Sequence, residues 1–257
     1  MKKNAMKLLA LALALMLVFT GCGKSQEDVG GNVVSNETVA QTIPGGNVEQ
    51  PATEATTAPV PETTAPAEEN PLSLGRMEGG VYTNSYVGFS CALDENWTFY
   101  SAEELQQIPY NIAGMMEGSE LGAALEGVQQ FTDMMAENVN DLTTMNVLYQ
   151  KLSMQERLAY AVLTEEEIID ATLGQKDMIV EAYETAGMTV ISMEKTTVTF
   201  MGEERTAIKG EFTVQDVPYF TLQLFDYQLG EYSVTTTLAS YVEDNTASLL
   251  ELFQPVA

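Results

Sequence analysis

Side chains that usually carry out catalysis are thinly supplied in this chain. Its 257 residues include no His and 2 Cys, namely Cys22 and Cys91. Without His there is no Ser-His-Asp or Cys-His nucleophile, no His-ligated zinc and no proximal-His haem. Two cysteines cannot build a zinc cage or a disulfide framework. Ser-Lys catalysis would survive the loss of His, but Lys151, Lys176, Lys195 and Lys209 lie in strand or helix patterns where no paired Ser is expected. Carboxylate-only hydrolysis needs just two placed acids and stays open. The sequence holds 37 Asp+Glu, so it nominates no particular pair. Glu165, Glu166 and Glu167 are consecutive, and consecutive helical residues fan out by about 100° each, so they are read as a solvated helix start and not as a metal site. Thioethers could take copper(I), yet Met115-Met116 and Met134-Met135 have no M-x-M or M-x-x-M ladder behind them and are read as core or gap-filling residues. No metal, cofactor or catalytic residue is assigned.

Chemistry of another kind is written at the N-terminus. Lys2, Lys3 and Lys7 precede an unbroken apolar run of 12 residues, Leu8 to Phe19. A bilayer-spanning helix needs about 20 residues, so this run has the length of a signal-peptide core. Phe19-Thr20-Gly21-Cys22 follows and resembles the lipobox of bacterial lipoproteins. The resemblance implies cleavage before Cys22 and a diacylglyceryl thioether on its sulfur, with further acylation by a palmitate-type chain. Two acyl chains hold a protein to a membrane far better than one. An ordinary secretory signal cut near Gly21 is the alternative.

Removing the leader leaves 8 basic and 37 acidic residues, a charge of −29. Such a chain repels anionic lipid heads and nucleic acid, so nucleic acid is excluded as a partner. Behind Cys22 comes a stretch, Gly23 to Glu78, with no aromatic residue and with six of the nine prolines. Its Thr/Pro/Ala/Glu run from Pro51 to Pro71 cannot bury enough apolar surface to offset ordering entropy. A coil of 56 residues would average roughly 40 Å end to end, a reach suited to crossing cell-wall polymer. The expected division is a signal peptide over 1–21, the lipidated Cys and a disordered tether over 22–78, and a domain over 79–257. The expected location is the extracytoplasmic face of a cell membrane, with a Gram-positive envelope favoured.

The 179 residues of the domain hold 20 of the 21 aromatics and carry a charge of −22. Val81 to Thr83 reads as a strand, followed by Val87, Phe89, Cys91 and Leu93 at alternate positions of a half-buried one. Cys91 therefore points to the core and is read as inert. Trp97 to Phe99 resumes the sheet. Ser101 and Glu104 form a capping box for a helix ending before Pro109 or running brokenly to Glu117, and a second helical piece is expected from Ser119 to Gln129. Phe131 to Glu137 and Thr143 to Leu152 read as a strand pair. Ser153-x-x-Glu156 opens a helix to Leu163. Thr164-x-x-Glu167 opens a single long one, with Ile169, Leu173, Val180 and Tyr183 on its stripe and Gly187 at its C-cap. Four strands follow, from about Thr189 to Phe200, Thr206 to Val214, Tyr219 to Tyr227 and Tyr232 to Ser240. A last helix from Asp244 or Asn245 should bury Ala247, Leu250 and Phe253. Strand pairs separated by helices and then a run of hairpins give an α+β class, an antiparallel sheet covered by helices with a C-terminal helix.

Gly80-Val81-Tyr82-Thr83-Asn84, then Gly88-Phe89, then Trp97, resembles the opening of PsbP-like domains. The resemblance implies the same α+β architecture and a binding or assembly role, and it brings no catalytic residues with it. The expected function is a membrane-anchored, non-catalytic module that binds a protein or an envelope component. Calcium or small-ligand binding is the first alternative, prompted by the acidity. A hydrolase using two carboxylates is the second.

Overall fold

The computed structural model describes residues 72–106 and 128–256. Cys22, the leader, the tether to residue 71, Met115-Met116 and the helices expected within 107–127 lie outside the described residues. Strand pairing starts earlier than the boundary at 79. β1 (Arg76–Glu78) runs antiparallel to β2 (Val81–Asn84), with Met77 opposite Tyr82. Gly79 and Gly80, at φ 58° and 81°, make the two-residue turn that only residues tolerant of positive φ form easily. The folded region therefore begins a few residues before 79, because the ladder of β2 needs Arg76 to Glu78.

β3 (Phe89–Ala92) and β4 (Trp97–Phe99) follow, then β5 (Gln130–Asn138) and β6 (Thr143–Lys151). Phe89 and Cys91 are fully buried, as their alternation requires. The Cys91 sulfur sits 3.7 Å from that of Met145, and burial pushes its thiol up to about 12. Ser101 and Glu104 form the expected capping box ahead of helical residues 102–106. Ser153 and Glu156 do the same for α1 (Met154–Tyr160), which ends three residues short of Leu163.

The long helix expected after Thr164 is in fact two. α2 (Glu165–Leu173) stops at Gly174, and Gln175 leaves helical geometry at φ −111°, ψ 20° before α3 (Lys176–Thr185) begins. Glycine is the poorest helix former after proline, and the break re-aims the second segment. Ile168, Ile169 and Thr172 of α2 and Ile179, Ala182 and Tyr183 of α3 are then buried together. Gly187 does follow the C-cap, at φ 81°.

β7 (Met188–Phe200), β8 (Glu203–Val214), β9 (Val217–Leu229) and β10 (Tyr232–Tyr241) form the hairpin run with two-residue turns at Met201-Gly202, Gln215-Asp216 and Gly230-Glu231. The C-terminus departs from expectation. α4 (Thr246–Leu249) is one turn long and passes through a 3-10 turn (Leu250–Leu252) into β11 (Phe253–Pro255). Ala247 is exposed, while Thr246, Leu249, Leu250 and Phe253 are buried. Phe253 is a strand residue because its ring stands edge-on to Phe89 at 5.1 Å, which the β11–β3 pairing provides. Pro255 lacks a donor and suits the edge position of β11.

Among the described residues the strands make two antiparallel sheets. One has the order β1-β2-β3-β11 and the other the order β4-β5-β6-β10-β9-β8-β7. The α+β, antiparallel expectation holds, with two sheets where one was expected. Directly paired residues share a face. On one face of the large sheet, Met134, Met145, Val147, Leu224 and Leu238 pack against the small sheet and Leu249. The opposite face carries α2 and α3 over Ile208, Phe212 and Tyr219. Met134 and Met135 point to opposite faces and are both buried, so they share no ion.

A bulge in β5 between Thr132 and Met134 frees Asp133 from the ladder. Its carboxylate accepts from Gly75 N at 2.9 Å, Tyr82 OH at 2.5 Å and Asn84 Nδ2 at 2.9 Å, which fastens the small sheet to the large one. Burial and the Asp133 charge raise the Tyr82 phenol above its ordinary value.

Candidate functional site

The face of the large sheet that carries α2 and α3 divides in two. Its β7–β9 half is apolar. Its β5-β6-β10 half, continuing onto β9, is polar, uncharged over β6 and β10, and buried. Four cross-strand rows form this floor. The first runs through Gln130, Gln150 and Ser233, beside which the β10–β9 register shifts. The second runs through Thr132, Leu148, Thr235 and Phe225. Met135, Asn146, Thr237 and Gln223 make the third, and Glu137, Thr144, Ala239 and Thr221 the fourth.

Gln150, Ser233 and Thr235 are each 1% exposed. Neither the Gln150 amide nor the Ser233 and Thr235 hydroxyls have a hydrogen-bond partner, and the same holds for Thr132 Oγ1, Asn146 Oδ1 and Tyr227 OH. Among the described residues thirteen buried side-chain polar atoms lack a partner, and ten of them lie on this face. A weak contact crosses it, from Gln223 Nε2 to Thr237 Oγ1 at 3.5 Å. Buried polar groups are normally paired, and each one left dry costs about 1–3 kcal/mol. Ten dry groups would outweigh the about 5–15 kcal/mol by which a domain is stable. Among the described residues the floor is thus the main concentration of buried hydrogen-bonding capacity that has no partner.

Sequence reading missed these residues. Alternation in β6 and β10, broken by Leu148 and Thr236, marks one face as more polar, and a polar face is by default the solvated one. A subtler signal was present. Thr144 to Gln150 and Ser233 to Tyr241 hold no charged residue, whereas β8 carries Glu203, Glu204, Arg205, Lys209 and Glu211. In so acidic a chain, an uncharged polar face is the anomaly.

Several acids near the helix-covered half of the sheet are engaged in ion pairs. Glu165 Oε1 accepts from Arg205 Nε at 2.9 Å, and Asp226 Oδ1 accepts from Arg205 Nη2 at 3.1 Å. The same Nη2 donates to the Phe225 carbonyl at 2.7 Å, beyond the last β8–β9 pair at Ile208 and Gln223. Burial raises the Asp226 carboxyl above its ordinary value, against the pull of Arg205 and with a push from Glu165. A guanidinium shared by both carboxylates makes this a structural ion cluster that closes a gap in the sheet.

Glu166 binds Lys195 at 2.7 Å, and Glu167 accepts from Thr164 N in the capping box, so the three consecutive glutamates do fan out to three partners. Ser192 and Lys195 have the S-x-x-K spacing, but Ser192 pairs with Glu211 and Lys195 with Ile208, on opposite faces, and Lys195 is held by Glu166 and Asp170. Among the described residues no group of three or more Cys, Asp or Glu is placed to hold a metal ion. No helix among them is long and apolar enough to cross a membrane.

No family model matches the chain, and no curated protein matches it. Among solved structures it is similar to the solution structure of cyanobacterial PsbP (CyanoP) from Synechocystis sp. PCC 6803. The identity is 11%, the TM-score 0.38, and the match covers 75% of this chain and 98% of that one. The α+β assignment rests on the strand pairing described above.

Proposed function

We propose that this chain is an extracytoplasmic lipoprotein, held to the cell membrane by lipid on Cys22, whose PsbP-like C-terminal domain is a non-catalytic binding module for an envelope component. One observation carries the binding reading: the buried floor over β5, β6 and β10, where Gln150, Ser233 and Thr235 have hydrogen-bonding capacity that the protein does not use. Glu165 and Asp226 are both committed to Arg205, which supports a structural role for that pair of acids. The leader and the aromatic-free stretch from Gly23 to Glu78 support the anchor-and-spacer part.

Two measurements test this. Metabolic labelling with an alkynyl fatty acid should mark the wild-type chain, and Cys22→Ala should lose the label. A label that survives that substitution overturns the anchor. Crosslinking with mass spectrometry on intact cells should then capture one envelope component in stoichiometric amount. A blank with efficient crosslinkers counts against the binding module.

A further inference from the structure

We infer that one end of the large sheet, where Leu142, Val217 and Val242 stand exposed beside the ends of adjoining strands, is a docking surface for a protein partner whose own contact patch is apolar and ringed by Lys or Arg. The inference rests on the reading of the domain as a binding module and gives that module a surface and a partner class.

The β5–β6 turn, the β8–β9 turn and the segment after β10 meet there. Tyr241 N donates to the Leu142 carbonyl at 3.0 Å, and Val242 N donates to the Pro218 carbonyl at 2.9 Å. From β5 across β6, β10 and β9 to β8 the row spans about 19 Å, at about 4.8 Å per strand. Val139 and Val242 are 64% and 54% exposed, and Leu142 and Val217 are exposed beside them. Large apolar side chains gathered at solvent mark an interaction site where scattered ones do not. Their backbone sharpens the point. Leu142 holds φ 52° and Val242 holds φ 70°, in the left-handed region where a β-branched residue is an outlier. Glycine or asparagine would hold that backbone with less strain, so folding alone does not select valine at 242. An exposed side chain kept there against strain serves contact with something outside the chain.

The rim of the patch sets the partner's charge. Asp141, Asp216 and Glu243 lie in the same three segments and are exposed. Asn140 Nδ2 donates to Asn96 Oδ1 at 3.4 Å, which adds the exposed Asp94 and Glu95 to the same end. Among the described residues none of these five acids is in an ion pair, whereas Glu165, Glu166, Asp170, Asp226 and Glu231 each have one. No basic residue lies within 139–142, 215–218 or 241–244. Lys209, which reaches Asp244, is neutralised by it at 2.6 Å. An acidic rim around apolar groups repels anionic lipid heads and a second copy of the same surface, and it attracts a basic one. A partner with Lys or Arg around an apolar centre meets both parts.

The test uses the full chain in intact cells, with photoreactive p-benzoylphenylalanine placed at position 139 on the patch or, for comparison, at position 158 on α1, beyond the other end of β6. Irradiation should give one adduct from position 139, and its crosslinked peptide should carry apolar residues flanked by Lys or Arg. Val242→Asn suits the left-handed backbone, so Tm should hold or rise by roughly 2–4 °C while the adduct yield falls at least fivefold. A valine kept only for structure would move Tm and yield together. Leu142→Asn, and Asp216→Asn with Glu243→Gln, should cut the yield as far, and Leu158→Ser should leave it unchanged. An adduct to lipid, to a second copy of this chain or to a peptide without basic residues overturns the inference, and so does a yield that Val242→Asn leaves intact. A partner captured by chemical crosslinking but never from position 139 ends this surface and keeps the binding module. A blank in both experiments ends both.

Discussion

Gln150 on β6 lies directly opposite Ser233 on β10, and neither side chain has a hydrogen-bond partner although each is 1% exposed. Two adjacent strands thus carry an unmet polar pair near the end of their ladder, where the β10–β9 register shifts. Such a pair is tolerated where something other than folding selects it.

The comparison of Thr236 with Thr235 makes that idea measurable. Thr236 is fully buried between Val147 and Leu224 on the apolar face, and its hydroxyl is unpartnered. Thr236→Val removes an unmet group and keeps the shape, so stability should rise by about 1 kcal/mol and Tm by about 2–4 °C. On the binding reading Thr235→Val, made one residue away on the floor, should gain less, because a bound group would then meet its hydroxyl. Thermal unfolding of the two variants side by side decides it. Equal gains would show that the floor is as dry as the core.

Arg205 gives the opposite expectation. Its side chain is 18% exposed and serves Glu165, Asp226 and the Phe225 carbonyl at once. Arg205→Met leaves both carboxylates without their counter-ion, although Glu165 Oε2 still accepts from Thr206 N at 3.2 Å, and should cost about 2–4 kcal/mol in urea unfolding. Glu165→Gln in the Arg205→Met background should cost much less than it does alone, since the two share one interaction.

Much of this architecture was legible from local pattern. Ser153-x-x-Glu156 and Thr164-x-x-Glu167 fixed helix starts because a capping box is a contact between near neighbours. Alternation placed Phe89 and Cys91 inside for the same reason. The failures are long-range. Phe253 fits a helical stripe by spacing, yet it pairs with Cys91, more than 150 residues away, because its ring completes a cluster with Phe89 and Phe200. The break at Gly174-Gln175 lies inside a continuous apolar stripe, and only the sheet beneath it demands the turn. The floor was illegible for the deepest reason: periodicity reports which residues share a face, and tertiary packing decides whether that face meets water.

Asp244 supplies a pH signature. Burial alone would raise its carboxyl, but hydrogen bonds from Lys209 at 2.6 Å and from Thr246 outweigh that and hold it below the ordinary value. A carboxylate depressed in the folded state binds protons more weakly there than in the unfolded chain. Its contribution is therefore complete above about pH 4 and disappears as pH falls through its folded value. Lys209 is 40% exposed, so the effect should stay under about 1 kcal/mol. Between pH 5 and 2, Asp244→Asn should flatten part of the fall in Tm, and identical acid limbs for both proteins would refute the assignment.

Gly210 is the position where the helix-covered half of the sheet meets the floor. A Cβ there would stand 2.4 Å from Phe212 Cε2 and 2.7 Å from Thr221 Oγ1. Phe212 cannot retreat freely, because its ring lies 4.8 Å from that of Tyr183 on α3 and 6.0 Å from that of Tyr219. Thr221 is fully buried in the fourth row of the floor, with its hydroxyl unpartnered. Gly210→Ala should therefore destabilise by about 1–3 kcal/mol through overpacking. Phe212→Leu alone should also destabilise, by opening space under α3. Combined, the two changes should cost less than their sum, because the smaller side chain vacates the volume the new methyl needs. If the two losses simply add in urea unfolding, the ring does not lie over Gly210, and the register that places Thr221 on the floor is wrong with it.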